Sequence, residues 1–147
     1  MCTSIILYRK SNPWPIIIGS NRDENLDRAS TFPGRHWSHY PNIIAGKDLQ
    51  KKGSWIGVND HGIVAIIHNR ISNKVLDKFN YSRGNIVLEV LKYKYIDEAI
   101  NYMSLLNTND YNFFNLFIAD YQNCYFIKHN HMKNNVKIYK VSEGLSV

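Results

Sequence analysis

The sequence predicts an α+β chain, built of antiparallel sheets plus two helices at about 82–106. Three observations carry that reading. Short apolar runs bounded by Asn, Asp, Gly or Pro recur towards both ends of the chain, as strands do. An Asp60-His61-Gly62 turn joins two such runs in the manner of a hairpin. Between the two sets, residues 82–106 change to apolar spacing of helical period.

The first strand is Ile5-Ile6-Leu7-Tyr8, which turns at Asn12-Pro13 and returns as Ile16-Ile17-Ile18. The returning segment ends on Gly19-Ser20-Asn21-Arg22-Asp23-Glu24, so antiparallel pairing brings Arg22 and Asp23 close to Cys2. Cys2 is small enough for an initiator methionine ahead of it to be removed, leaving a thiol and a free α-amine on one residue. An α-amine titrates at about 7.7–8, so near neutral pH it can accept a proton from its own thiol. An arginine beside a thiol favours the thiolate, and an aspartate can hold an ammonium in place. The plainer alternative makes Cys2 a buried small residue of the first strand and Arg22–Asp23 a loop ion pair.

Residues 24–42 lack periodicity and read as a long loop covering a site, with Trp37 as a pocket wall or core anchor. The hairpin follows, one strand running through Trp55–Asn59 and the other through Ile63–Arg70. Gly57 inside its first strand predicts close backbone approach. Asn69 ends the second strand, where it either serves a site or starts a loop. Arg70 reads as solvated, and 71–81 as a polar loop.

Ser82-Arg83-Gly84 reads as an N-cap for a helix through Leu91; Arg83 either contacts the site loop or an acidic group or, more economically, serves capping and packing. A second helix follows Asp97, with a core stripe of Ala99, Ile100, Met103 and Leu106. Both helices are read as structural. Strands follow at Tyr111–Asp120, Cys124–His129 and Val136–Val141. Cys124 is expected to be buried. His129 and His131 read as a solvated strand end, since two histidines fall short of the three or four ligands a zinc site takes.

Length and composition, 147 residues with 44% hydrophobic and 20% charged, suit one globular domain over 1–147. No apolar run approaches the roughly 20 residues of a membrane helix, and the amino terminus lacks the layout of a secretion signal. A cytoplasmic location is therefore expected. The two cysteines do not form a disulfide framework. The net charge of +6 is spread along the chain without an RNA-binding or zinc signature, which argues against a nucleic-acid partner.

Met1-Cys2-Thr3 and Asn21-Arg22-Asp23-Glu24 resemble the NRDE-motif family, whose eukaryotic member is called transport and Golgi organisation protein 2. The resemblance continues through Gly46-Lys47-Asp48, Gly53-Ser54-Trp55-Ile56-Gly57-Val58-Asn59, Asn69-Arg70, Ser82-Arg83-Gly84 and Asn115-Leu116…Ala119-Asp120. That family resembles the N-terminal nucleophile hydrolases, including penicillin V acylases and bile salt hydrolases. The resemblance implies an αββα-type sandwich and hydrolysis of a C–N amide bond without a cofactor. Cys2 would be the nucleophile, Arg22 and Asp23 would orient and tune it, and Asn69 would help hold the oxyanion. The other implication is a non-enzymatic trafficking or binding role in Golgi organisation and secretion, or in handling haem or lipid.

The resemblance stops at Gly144-Leu145-Ser146, because Val147 stands where the family has asparagine. Family members continue for about another hundred residues, a length still compatible with one domain. In the hydrolases that asparagine and a later arginine complete the site. The expectation is therefore a sandwich truncated at its carboxyl end, with its activity impaired. An unpaired sheet edge would favour self-association.

Overall fold

The computed structural model describes residues 2–70, 81–129 and 135–147. The loop expected at 71–81, apart from Tyr81, and His131 lie outside them.

Two antiparallel sheets form. In the smaller, β1 (Ser4–Tyr8) lies between β2 (Ile16–Ser20) and β9 (Gly144–Ser146), in the order β2-β1-β9. The larger runs β3 (Ile43–Ala45), β4 (Ile56–Asn59), β5 (Val64–Asn69), β6 (Phe114–Ala119), β7 (Cys124–His129) and β8 (Val136–Lys140), each beside the next. Two helices, α1 (Gly84–Leu91) and α2 (Ile96–Ser104), separate β5 from β6 in sequence. The tripeptide Gly144–Ser146, read only as a family element, is thus a strand on the far side of β1.

The central strands are apolar on both faces because both faces are covered. Ala65, Ile67, Leu116, Ile118 and Ile127 pack with Ile86, Val87, Val90 and Leu91 of α1 and with Ala99 and Met103 of α2. The alternate residues Ile66, Phe117, Ala119 and Cys124 meet Ile6 and Tyr8 of β1. A period-2 strand between two layers buries consecutive side chains, which explains the unbroken apolar runs of β5 and β6. The described residues thus stack one helical layer on two sheets.

Gly57 has the close contact its sequence predicts: a Cβ there would lie 2.7 Å from Ala45 Cβ and 2.9 Å from Leu91 Cδ1. Buried Asn59 ties the hairpin to the helix. Its amide donates to the carbonyls of Leu91 and Tyr93, each at 2.8 Å, and its Oδ1 accepts from the N–H of His61 and Ile63. Trp37 packs against the edge of the helical core and donates from Nε1 to Lys52 O.

Four local expectations are corrected. His129 is not solvated but 4% exposed, because it shares the helix-facing side of β7 with Ile127 and sits against Phe113 and Phe114. Arg70 is half-buried and donates to His129 O at 3.3 Å. The position before α1 is Arg83, whose side chain does not cap; the Ser82 hydroxyl accepts from Gly84 N–H instead. Helix α2 starts at Ile96 behind Tyr95, and Glu98 accepts from the Tyr95 N–H.

Candidate active site

The register of β1 on β2 sets the geometry at the amino-terminal end. Ser4 faces Ser20, so beyond the strands Thr3 meets Asn21 and Cys2 meets the residues after it. Asn21 N–H donates to Thr3 O at 3.1 Å, and Thr3 N–H donates to Asn21 Oδ1 at 2.7 Å. The backbone N–H of Asp23 then donates to Cys2 Sγ at 3.3 Å, and the thiol lies 3.7 Å from Asp23 O. The Asn21 amide donates to Asp23 Oδ1 at 2.8 Å. Cys2 is half-buried and carries no disulfide.

Cys2, Arg22, Asp23 and Asn69 all line one small cavity of about 80 Å³. Asn69 is the last residue of β5, opposite Phe114, and exposed. Its side-chain amide makes no hydrogen bond with any described residue, so both N–H groups can serve a ligand. Arg22 forms no ion pair with Asp23. Its guanidinium lies 4.4 Å from the Trp55 ring centroid and 3.9 Å from Glu24.

The same cavity contains groups that sequence reasoning did not assign to it. Arg28 grips Asp48 through Nε at 2.8 Å and Nη2 at 2.5 Å, and reaches Glu24 at 3.1 Å. Asp48 also accepts from the backbone N–H groups of Gln50 and Lys51. Burial pushes the Asp48 carboxyl up, but the Arg28 and backbone hydrogen bonds outweigh it and leave it below its ordinary value. Arg83 enters from the start of α1 and donates to Phe113 O at 2.8 Å. Burial, and then repulsion from Arg28, lower its affinity for its proton. The signal for these groups was in the motifs themselves: Asp48 closes Gly46-Lys47-Asp48, Arg83 is the centre of Ser82-Arg83-Gly84, and Arg28 follows the Asn21–Glu24 segment. Their convergence depends on contacts between segments distant in sequence.

Glycines permit the approach. Gly53 and Gly84 are in backbone contact, with Ser54 N–H donating to Gly84 O at 3.1 Å. A Cβ on Gly53 would lie 2.5 Å from Gly84 C.

Cys2 also borders a larger cavity of about 480 Å³ between the two sheets. Ile6, Ile66, Phe117, Phe126 and Val141 give it apolar walls. At its polar end His68 Nε2 lies 2.8 Å from Ser4 Oγ, and the Ser4 hydroxyl donates to Ser20 Oγ at 2.9 Å. Burial lowers the His68 pKa below its ordinary value. No group of three or more His, Cys, Asp or Glu among the described residues is placed to hold a metal ion. No helix among them is long and apolar enough to cross a membrane.

This architecture is an α+β fold like that of the N-terminal nucleophile hydrolases. Two variant structures of conjugated bile acid hydrolase from Clostridium perfringens superpose with TM-scores of 0.63 and 0.64 at 13% and 14% identity, covering 99% of this chain. Penicillin V acylase from Agrobacterium tumefaciens gives 0.52 at 13% identity over 94% of this chain. The chain spans about half of each of these structures: 52%, 52% and 49%. No curated protein matches the sequence. The model of the Transport and Golgi organisation 2 (TANGO2) family matches residues 1–146, and the chain belongs to that family.

Proposed function

We propose that this chain carries the nucleophile of an N-terminal cysteine hydrolase acting on C–N amide bonds. The observation that supports it most is the position of Cys2 Sγ, on the Asp23 backbone N–H and in one cavity with Asn69. After loss of Met1, the Cys2 α-amine takes the thiol proton and the thiolate attacks the amide carbonyl carbon. The carbonyl oxygen becomes an oxyanion, to which the Asn69 amide donates. The C–N bond then breaks, and the departing amine takes the proton from the Cys2 ammonium. Water, deprotonated by the same amine, attacks the thioester carbonyl. The acid leaves and the Cys2 thiol is restored. Arg22 and Asp23 border the thiol and position it, and no cofactor enters the sequence.

In one of the superposed bile acid hydrolase structures the second residue, a cysteine, has been replaced by alanine, which marks the position as one worth testing here. A panel of acyl amides assayed for release of amine is the test. Turnover by the wild type that vanishes in Cys2→Ala supports the reading. Turnover that survives in Cys2→Ala contradicts it.

A binding role in trafficking, with a lipid or haem as ligand, is the second reading. The apolar cavity of about 480 Å³ favours it, being within the size range of small-molecule sites. A carrier would retain its ligand in Cys2→Ala. We further propose that residues 1–147 form one domain, the N-terminal portion of a longer family architecture in the cytoplasm. Among the described residues no strand lies beyond β9, and this edge, with Leu145 68% exposed, is the surface suited to pairing with a further strand or a second copy.

A further inference from the structure

The cavity at Cys2, at about 80 Å³, admits a reacting group but not a whole substrate, since small-molecule sites run to about 300 Å³ or more. The bound molecule must extend outward. One exit is the apolar cavity between the sheets. The other is a cleft of about 470 Å³ that shares Arg28, Ser82 and Arg83 with the Cys2 cavity.

Among the described residues the charge in the lining of that cleft is of one sign. Arg28, Lys51 and Arg83 border it, with Gln50, Asn85 and Asn112 as neutral hydrogen-bonding groups, and no described acidic residue lines it. The neighbouring carboxylates are already engaged: Asp48 by Arg28 and two backbone N–H groups, Glu24 by Arg28. Arg83 has no carboxylate partner among the described residues; its partner is the neutral carbonyl of Phe113. A half-buried guanidinium set between two cavities with one neutral acceptor leaves most of its five donors for a ligand. The α1 amino terminus adds its positive end at Ser82 and Gly84, with no acidic residue in the first turn.

We propose that this cleft is an oxyanion-binding subsite, which receives a carboxylate or phosphate group of the substrate while the scissile amide lies at Cys2. Arg83 makes the primary contact and Lys51 the outer one. The inference rests on the nucleophile reading for its placement of the amide, and it narrows the substrates to anionic amides.

Alkylation of Cys2 by iodoacetate and by iodoacetamide, near equal in size but different in charge, tests it by intact mass. The ratio of the two rates cancels any general change in thiol reactivity. In Arg83→Gln the iodoacetate-to-iodoacetamide ratio falls about fivefold, the factor one charge contact in water contributes. An unchanged ratio overturns the proposal. At constant ionic strength, inorganic phosphate or acetate raises the melting temperature of the wild type, the stronger anion naming the preferred group. The rise shrinks in Lys51→Gln and in Arg83→Gln. A rise that neither variant alters, or no rise, overturns the cleft. Inertness of Cys2 to both reagents would refute the nucleophile reading instead, and the melting shift would still decide the cleft.

Discussion

The backbone N–H of Asp23 points at the sulfur of Cys2 across 3.3 Å, although the two residues are 21 apart in sequence. This contact follows from the Ser4–Ser20 register, carried past the ends of β1 and β2 by the paired bonds of Thr3 and Asn21. A donor fixed by strand pairing stabilises negative charge on sulfur without side-chain ordering. Asn21→Ala removes both the acceptor for Thr3 N–H and the donor to Asp23. It is expected to slow alkylation of Cys2 while lowering stability by only about 1 kcal/mol, the worth of a typical exposed hydrogen bond. Comparing labelling rate with urea midpoint separates the two effects.

Asn69 is expected to separate function from stability. Its side chain is exposed and makes no hydrogen bond to a described residue, so Asn69→Ala changes unfolding free energy by less than about 0.5 kcal/mol. Removing one oxyanion donor lowers turnover of an amide by about a hundredfold or more. Unfolding and kinetics on the same preparation check both. Unaltered turnover would remove Asn69 from the mechanism.

Asn59 shows the opposite pattern. It is buried and makes four hydrogen bonds, two that join the hairpin to the carbonyls at the end of α1 and just past it and two that close the hairpin turn. Asn59→Ala leaves two carbonyls and two N–H groups without their partner and should cost about 3 kcal/mol. Urea denaturation measures it. Asn59→Asp keeps the two acceptor contacts and loses the two donor contacts, so its loss should also be large.

Gly53→Ala probes the seam between the Cys2 cavity and α1. The new methyl meets Gly84 backbone, which cannot rotate away, so the helix start must move. A cost of about 1–3 kcal/mol is expected, as for overpacking. The displacement of Arg83 should weaken any anion response at the same time. Differential scanning calorimetry with and without phosphate reads both.

His68 predicts a pH dependence. Burial lowers its folded-state pKa below the unfolded value of about 6.5, so the unfolded chain binds the proton more readily. Its contribution to stability is complete above the unfolded pKa and is lost as pH falls through the folded pKa. In His68→Gln the decline of stability from pH 7 to pH 5 should be shallower than in wild type. Equal slopes in urea titrations would show that burial of His68 does not carry it.

The fold was legible because its signals are local. Turn chemistry at Asn12-Pro13 and Asp60-Gly62, period-2 alternation and the helical stripe of α2 each act within a dozen residues. Local pattern placed Arg22 and Asp23 near Cys2 and Asn69 at a strand end, but left a plain structural role open for each; their site roles came from the family resemblance. For Arg83 a contact with the site loop was the weaker of two readings, since an arginine at a helix start has no local mark of facing a cavity. His129 was misread because the layer that buries it, Phe113 and Phe114, lies on the neighbouring strand and the residue before it. The pairing of β9 with β1 spans almost the entire chain and leaves no trace in either segment.

The central claim is that one thiol of two is built for chemistry. Cys124 is fully buried and burial pushes its thiol up to about 12, so it serves as an internal control. Intact mass of the native protein, treated at neutral pH with limiting iodoacetamide, is the most direct measurement. The account predicts a chain lacking Met1 and a single adduct, mapped to Cys2. A retained methionine, or labelling of Cys2 no faster than of Cys124, would contradict it.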